Sequence, residues 1–466
     1  MCAARAVAGS FRDPASRVFL TDDDVRRALS PEGLADFVAL SCSGLLDDPR
    51  VVGTERLDDI DAPVELPDGV AAVLRHERVP FVSYPYEWTF SMLREAALLQ
   101  LDLTLAALKR GLMLKDATPY NVQFVGTEPV FIDVGSFERL HAEELWVGYR
   151  QFCAQYLFPL LLQAHKGVAF QPWLRGAIDG IPASEFRGLT SLRDRARRGY
   201  ISNVFLQARL DRRATATGTT SRRRGTLAPE VAIRVIQNNV TKMRRLIVRL
   251  RWEPPLGEWM RYCFDNSYTN DDAARKDAFV RAAIDTRDWS LAWDLGCNNG
   301  RHARIAATRA AHVLALDADP GTVDLLFRAL RAEGDTTILP LVVNLADPSP
   351  GLGWRGEERL ALLDRGRPDL VLALALVHHL AIGNNVPVAS VVEWFAGLGA
   401  ALVVEFPTRE EPMVQSLLAR KRRDLHADYD LGLFERELSK RFDIQRQEAL
   451  GSGTRVLYFA TPKEQH

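Results

Sequence analysis

The sequence predicts an α/β fold for its carboxy-terminal half, a doubly wound and mostly parallel sheet, and three observations carry that reading. Apolar stretches at 291–295, 312–316, 337–343, 370–376 and 401–405 alternate with helical ones, the pattern of parallel strands joined by crossover helices. The first stretch runs into a glycine-bounded turn, Asp294-Leu295-Gly296-Cys297-Asn298-Asn299-Gly300, before a helical stretch at 302–311, and the second ends on Asp317 and Asp319. The end of the chain differs: 442–449, Gly451-Ser452-Gly453 and 455–460 read as an antiparallel hairpin closing the sheet.

At 466 residues the chain exceeds one ordinary core. The sharpest change of composition is 210–230, rich in Arg, Thr and Gly without apolar periodicity, which reads as a linker. Residues 1–209 are then expected to form a substrate-shaping domain, and 231–466 the α/β domain with leading helices. A net charge of −1 speaks against a nucleic-acid partner. Five scattered cysteines without a CxxC pair argue against a disulfide framework and a structural zinc site. No apolar stretch is long enough to span a membrane and no signal peptide is evident, so a cytoplasmic location is expected.

The turn from Asp294 to Gly300 suits a small anionic or hydroxylated ligand. Glycine lets backbone approach closely, and the following helix start offers free N–H groups. An acid about twenty residues downstream, at Asp317, is placed to accept ribose hydroxyls. A nicotinamide site prefers GxGxxG, whereas Asn298 stands two residues after Gly296. The combination of strand, acid, Gly-x-Asn-x-Gly, helix, strand and acid resembles the S-adenosylmethionine motif of class I methyltransferases. That resemblance implies S-adenosylmethionine as cofactor, held by Asp294, Gly296, Asn298, Gly300, Asp317, Asp319 and Asn344, with Tyr268 and Lys276 at its methionine end. More narrowly, His378-His379-Leu380, Val404-Glu405-Phe406-Pro407 and Arg455-Val456-Leu457-Tyr458-Phe459 resemble the methyltransferase-type proteins of host-specific nodulation.

Methyl transfer to a hydroxyl or amine needs alignment and a proton acceptor. His378, His379 and Glu405, at strand ends on one edge, are the candidates. Adjacent strand residues face opposite ways, so one histidine at most should face the substrate.

Upstream, a helix is expected at 87–110, strands at 122–125 and 129–132, and a helix at 142–164. Lys115-Asp116, Asn121 and Asp133-Val134-Gly135 resemble the catalytic and metal-binding loops of protein kinases, in which Asp116 would receive a proton and Asp133 hold magnesium. The rest of that pattern departs: no lysine precedes Lys109, and no Gly-x-Gly precedes the loop. Arg75 or Arg78 is the nearest substitute for the missing lysine. A degenerate kinase-like, α+β domain is therefore expected, ordering a substrate or a protein partner. The leading functional expectation is methyl transfer to a small molecule or saccharide in secondary metabolism. The alternatives are a methyltransferase fold turned to intramolecular amine cyclisation, an active amino-terminal phosphotransferase, and a non-catalytic scaffold.

Overall fold

The computed structural model describes residues 5–21, 24–59, 62–140, 146, 148–197, 199–209, 229–255, 269–422 and 425–463. They belong to two units: Met1–Phe124, Pro129–Glu253 and Gly351–Arg359 form the first, and Val125–Glu128, Pro254–Pro350 and Leu360–His466 the second.

The first unit opens with β1 (Arg5–Ala6), β2 (Ser16–Leu20), β3 (Val25–Leu29), β4 (Thr54–Leu57) and β5 (Ala72–His76), an antiparallel sheet ordered β1-β2-β3-β5-β4. Phe19, Ala28 and Val73 are buried on it, while Arg75 stands exposed. Helix α1 (Pro31–Ser43) links β3 to β4. Ser30 caps it by accepting the Gly33 N–H, and Gly44 ends it in the left-handed region at φ 72°.

Helix α2 (Phe90–Leu108) starts where Thr89 accepts the Met92 N–H, and it buries Leu93, Ala96, Ala97, Leu101 and Leu108 at helical spacing. It is shorter than the predicted 87–110, because Pro85–Glu87 forms a separate 3-10 turn. Next come β6 (Leu112–Leu114), β7 (Val122–Val125), β8 (Glu128–Phe131) and β9 (Phe137–Arg139), paired β6 with β9 and β7 with β8. The helix predicted at 142–164 is described as α3 (Tyr149–Phe152), a π-helical turn Cys153–Leu157 and α4 (Phe158–Lys166); residues 141–145 lie outside the described residues.

Two short helices follow, α5 (Gln171–Gly176) and α6 (Ala183–Gly188), and then α7 (Pro229–Arg249). All but the last two positions of the expected linker lie outside the described residues, and those two begin α7. Along α7, Ile236, Val240, Met243 and Ile247 are buried, and Arg244 reaches Asp102 of α2 at 2.5 Å. By packing, α7 belongs to the first unit, so the division falls at 253/254 and not at 231. An apolar helical face goes with the surface that buries it, which composition does not reveal.

The second unit contains α8 (Asn270–Ile284), β10 (Trp289–Leu295), α9 (Arg301–Ala306), β11 (Ala310–Asp317), α10 (Pro320–Glu333), β12 (Ile338–Val342), β13 (Leu370–Ala373), α11 (Val388–Gly397), β14 (Ala401–Pro407), α12 (Pro412–Ala419), α13 (Leu431–Arg441), β15 (Phe442–Ala449) and β16 (Arg455–Pro462). Seven strands form one sheet in the order β12-β11-β10-β13-β14-β16-β15. The first five are parallel, and β16 runs antiparallel to β14 and β15. Ala292, Val313, Leu330, Leu370, Val403 and Leu457 are part of its core.

The sheet grows one way through β11 and β12, then the other way through β13 and β14. Ligands in open α/β sheets bind outside the strand ends at such a reversal. Strand β13 is shorter than predicted because Ala375 adopts φ 53°, and α9 is shorter because Ala310 already pairs with Trp289. Among the described residues no helix is long and apolar enough to cross a membrane.

Candidate active site

A cavity of about 320 Å³ opens at that reversal. The turn after β10 forms one wall, the ends of β11, β12 and β13 form others, and α8 and α9 complete it. The turn has a fixed shape. Gly296, Asn298 and Gly300 have φ of 74°, 48° and 75°, and a Cβ at Gly300 would stand 2.6 Å from Leu326 Cδ1. Glycine is therefore required at 300 on two counts. The Asn298 N–H donates to Asp317 Oδ2 at 3.0 Å, which ties the turn to the end of β11.

Asp294, Gly296, Asn298, Asp317, Asn344 and Lys276 all line the cavity. Asp294 is buried, and its Oδ2 has no hydrogen-bond partner. Burial pushes its carboxyl up to about 7, against the opposing pull of the Ala303 N–H and the Lys276 charge. Burial also raises the Asp317 carboxyl, whose two oxygens each accept one backbone N–H, from Asn298 and from Asp319. Asn344 turns its Oδ1 back to the Ala346 N–H at 3.0 Å.

Three expectations are corrected here. Asp319 does not line the cavity; its carboxylate accepts the Thr322 N–H at 2.7 Å and caps α10. Glu405 does not line it either. It is fully buried between Lys276 Nζ at 2.7 Å and Arg455 Nη1 at 3.1 Å, while Arg455 Nη2 reaches Glu411 at 2.8 Å. A carboxylate claimed by two cations is a positioning anion and a poor proton acceptor. His378 is sealed from solvent with neither ring nitrogen hydrogen-bonded, and burial holds its imidazole well below its ordinary pKa.

His379 is the histidine of this pair that faces the cavity, its ring centroid 3.9 Å from that of His378. Burial and then Arg455 bring it down to about 4. Both histidines follow the end of β13, and His379 begins a π-helical turn to Gly383, a distortion often found at functional sites. Tyr268 lies outside the described residues.

In the first unit, Asp133 Oδ1 meets Arg27 Nη2 at 2.7 Å. Arg27 comes from the middle of β3, is buried, and also donates to Ser16 Oγ at 3.0 Å. Of the two arginines expected to stand in for the missing lysine, Arg75 and Arg78, Arg75 pairs with exposed Glu55. Asp116 stands nearby, its carboxyl raised by burial and by Asp133, and Lys115 pairs with Asp13 at 3.3 Å. The Nδ2 of buried Asn121 has no hydrogen-bond partner.

The sequence reading missed Arg27, Asp277 and His302. The last two line the cavity, with His302 Nε2 3.3 Å from Asp277 Oδ1. The available signal was position: His302 follows Gly300 by two residues, and Asp277 follows Lys276.

Sheet order, closing hairpin and the loop-bounded cavity together define the second unit as a class I methyltransferase fold. No family model matches the chain. The chain belongs to the family of nodulation protein NoeA: NoeA of Rhizobium meliloti (strain 1021) is 33% identical over 467 residues, 97% of this chain and 95% of that protein.

Solved structures with partial similarity include N-methyltransferase NodS from Bradyrhizobium japonicum WM9 in complex with S-adenosyl-L-homocysteine. It is 10% identical at a TM-score of 0.33, over 44% of this chain and 97% of that one. Magnesium protoporphyrin IX methyltransferase (ChlM) from Synechocystis PCC 6803 is 15% identical at 0.31, over 44% and 93%. The [4+2]-cyclase SpnF is 14% identical at 0.30, over 42% and 84%.

Proposed function

We propose that the second unit binds S-adenosylmethionine in its cavity and transfers the methyl group to a hydroxyl or amine of a small molecule or saccharide. The observation that carries this reading is the pair of acids, Asp294 and Asp317, at adjacent strand ends of a switch-point cavity. One of them keeps a buried oxygen without a partner. A buried acceptor in that condition is costly alone and is satisfied by a ligand donor.

The cofactor, when bound, supplies an electrophilic methyl group for in-line attack. Asp294 accepts from its ammonium group, and Asp317 from its ribose hydroxyls through lone pairs that the two backbone N–H bonds leave open. The turn from Gly296 to Gly300 brings backbone close, Asn344 meets the adenine, and Lys276 lines the methionine end. His379 holds a neutral imidazole on the cavity wall and is the residue assigned to accept the acceptor's proton.

Calorimetry with S-adenosylmethionine and S-adenosylhomocysteine tests the site. Wild type is expected to bind both in the micromolar range and Asp294→Ala to lose both. Equal affinity in the two proteins would refute the assignment.

A second reading concerns residues 1–209, as a kinase-like unit that shapes substrate without phosphotransfer. It is favoured by Arg27, which stands on the third strand and pairs with Asp133, where an active enzyme of that kind leaves the acid free for magnesium.

A further inference from the structure

Asp277 and His302 have no part in the reading above, yet both face the cavity. Asp277 follows Lys276 on α8. Lys276 turns to Glu405, whereas Asp277 turns to α9, where its Oδ2 accepts from Arg301 Nε at 3.1 Å and Nη2 at 2.7 Å. Its Oδ1 faces His302 Nε2 at 3.3 Å, an electrostatic contact between two buried atoms that otherwise lack a hydrogen-bond partner. A carboxylate only accepts, so the contact places the imidazole proton on Nε2 and leaves Nδ1 as an acceptor. Burial lowers the His302 pKa and keeps the ring neutral in that form.

The next residue along α9, Ala303, points its N–H at Asp294. Asp294 keeps Oδ2 unpartnered beside the same cavity. The unpartnered Asp294 Oδ2 and the His302 ring thus belong to residues that line one cavity. A ligand ammonium, with several N–H donors, satisfies both, whereas a ligand carboxylate satisfies neither.

We infer that the Asp277–His302 dyad is a positioning device for the α-ammonium of the bound ligand, His302 Nδ1 accepting from it beside Asp294, so that the cavity selects ligands that carry an amino-acid end. The inference rests on the cofactor reading above and extends it to residues that reading leaves idle.

Calorimetry on the full chain with two probes separates the possibilities: S-adenosylhomocysteine, and 5′-deoxy-5′-methylthioadenosine, which lacks the amino-acid end. His302→Ala is expected to weaken S-adenosylhomocysteine about tenfold or more, the size of one charge-assisted hydrogen bond, and to leave methylthioadenosine unchanged. Asp277→Ala is expected to reproduce that pattern by freeing the ring, and His302→Gln, which retains an acceptor, to recover part of the loss. A loss shared equally by both probes would show a merely shape-keeping role and overturn the assignment. Unchanged binding of both would overturn it too. If wild type binds neither probe, the cofactor reading itself falls and takes this one with it.

Discussion

A carboxyl raised to about 7, such as that of Asp294, is a functional group held at the expense of the fold. The folded protein binds that proton more tightly than the unfolded chain, in which Asp titrates near 3.9. The stability it contributes is therefore full below about pH 4 and is lost as pH rises through about 7. A ligand cation pulls the pKa down, so binding near neutrality should release a proton. S-adenosylhomocysteine is expected to bind more tightly at pH 8 than at pH 6, with proton release read from calorimetry in buffers of different ionisation enthalpy. Asp294→Asn should raise the melting temperature at pH 8 while abolishing both binding and proton release. Binding that is flat from pH 6 to 8 would show that this acid does not meet the ligand. The identity of Asp294 was legible in the sequence because it ends an apolar strand before a glycine turn. Its unpartnered oxygen was not, since that depends on what α8 and α9 bring beside it.

Between elements, Lys276 on α8, Glu405 on β14, Arg455 on β16 and Glu411 before α12 form one buried chain of charges. It ties the closing hairpin to the helix that lines the cavity. Removing one member of such a group leaves opposite charges buried without compensation, which costs about 3–5 kcal/mol. Glu405→Gln should accordingly lower the melting temperature of this unit by about 10 °C and weaken S-adenosylhomocysteine by releasing Lys276. A variant that keeps its melting temperature and cofactor affinity but loses turnover would return Glu405 to the role of base. The apolar stretches and their alternation with helices were readable here, and β10 to β14 lie where those stretches stood. The partners of Glu405 were not: they are 129 and 50 residues away, Arg455 brought in by the sheet order that sets β16 beside β14 and Lys276 by the packing of α8.

At the scale of the molecule, each unit has its own sheet and its own hydrophobic core. In the first, Arg27 already neutralises Asp133, and among the described residues no group of three or more His, Cys, Asp or Glu is placed to hold a metal ion. The full chain is expected to show no calorimetric binding of ATP that depends on magnesium; tight binding that magnesium strengthens would restore the phosphotransferase alternative. Loop order in that unit was legible, with Asp116 and Asp133 flanking the β7–β8 hairpin, but the arginines singled out were Arg75 and Arg78, whereas the one paired with Asp133 is Arg27. Arginine has no local signature that tells a buried strand position from an exposed one; the face of the sheet decides it, since Arg27 pairs across from buried Leu74 whereas Arg75 pairs across from Arg26 and Glu55. The sequence by itself determined the α/β class, the strands of the second unit, the glycine turn and the acids at 294 and 317, because each depends on local periodicity, backbone freedom or position at a strand end. Only the tertiary structure decided that Glu405 is bound in ion pairs, that Asp319 caps a helix, that His379 and not His378 meets the cavity, and that Asp277 orients His302. Burial and pairing are relations between distant segments, and a side chain's chemistry follows from the groups that reach it.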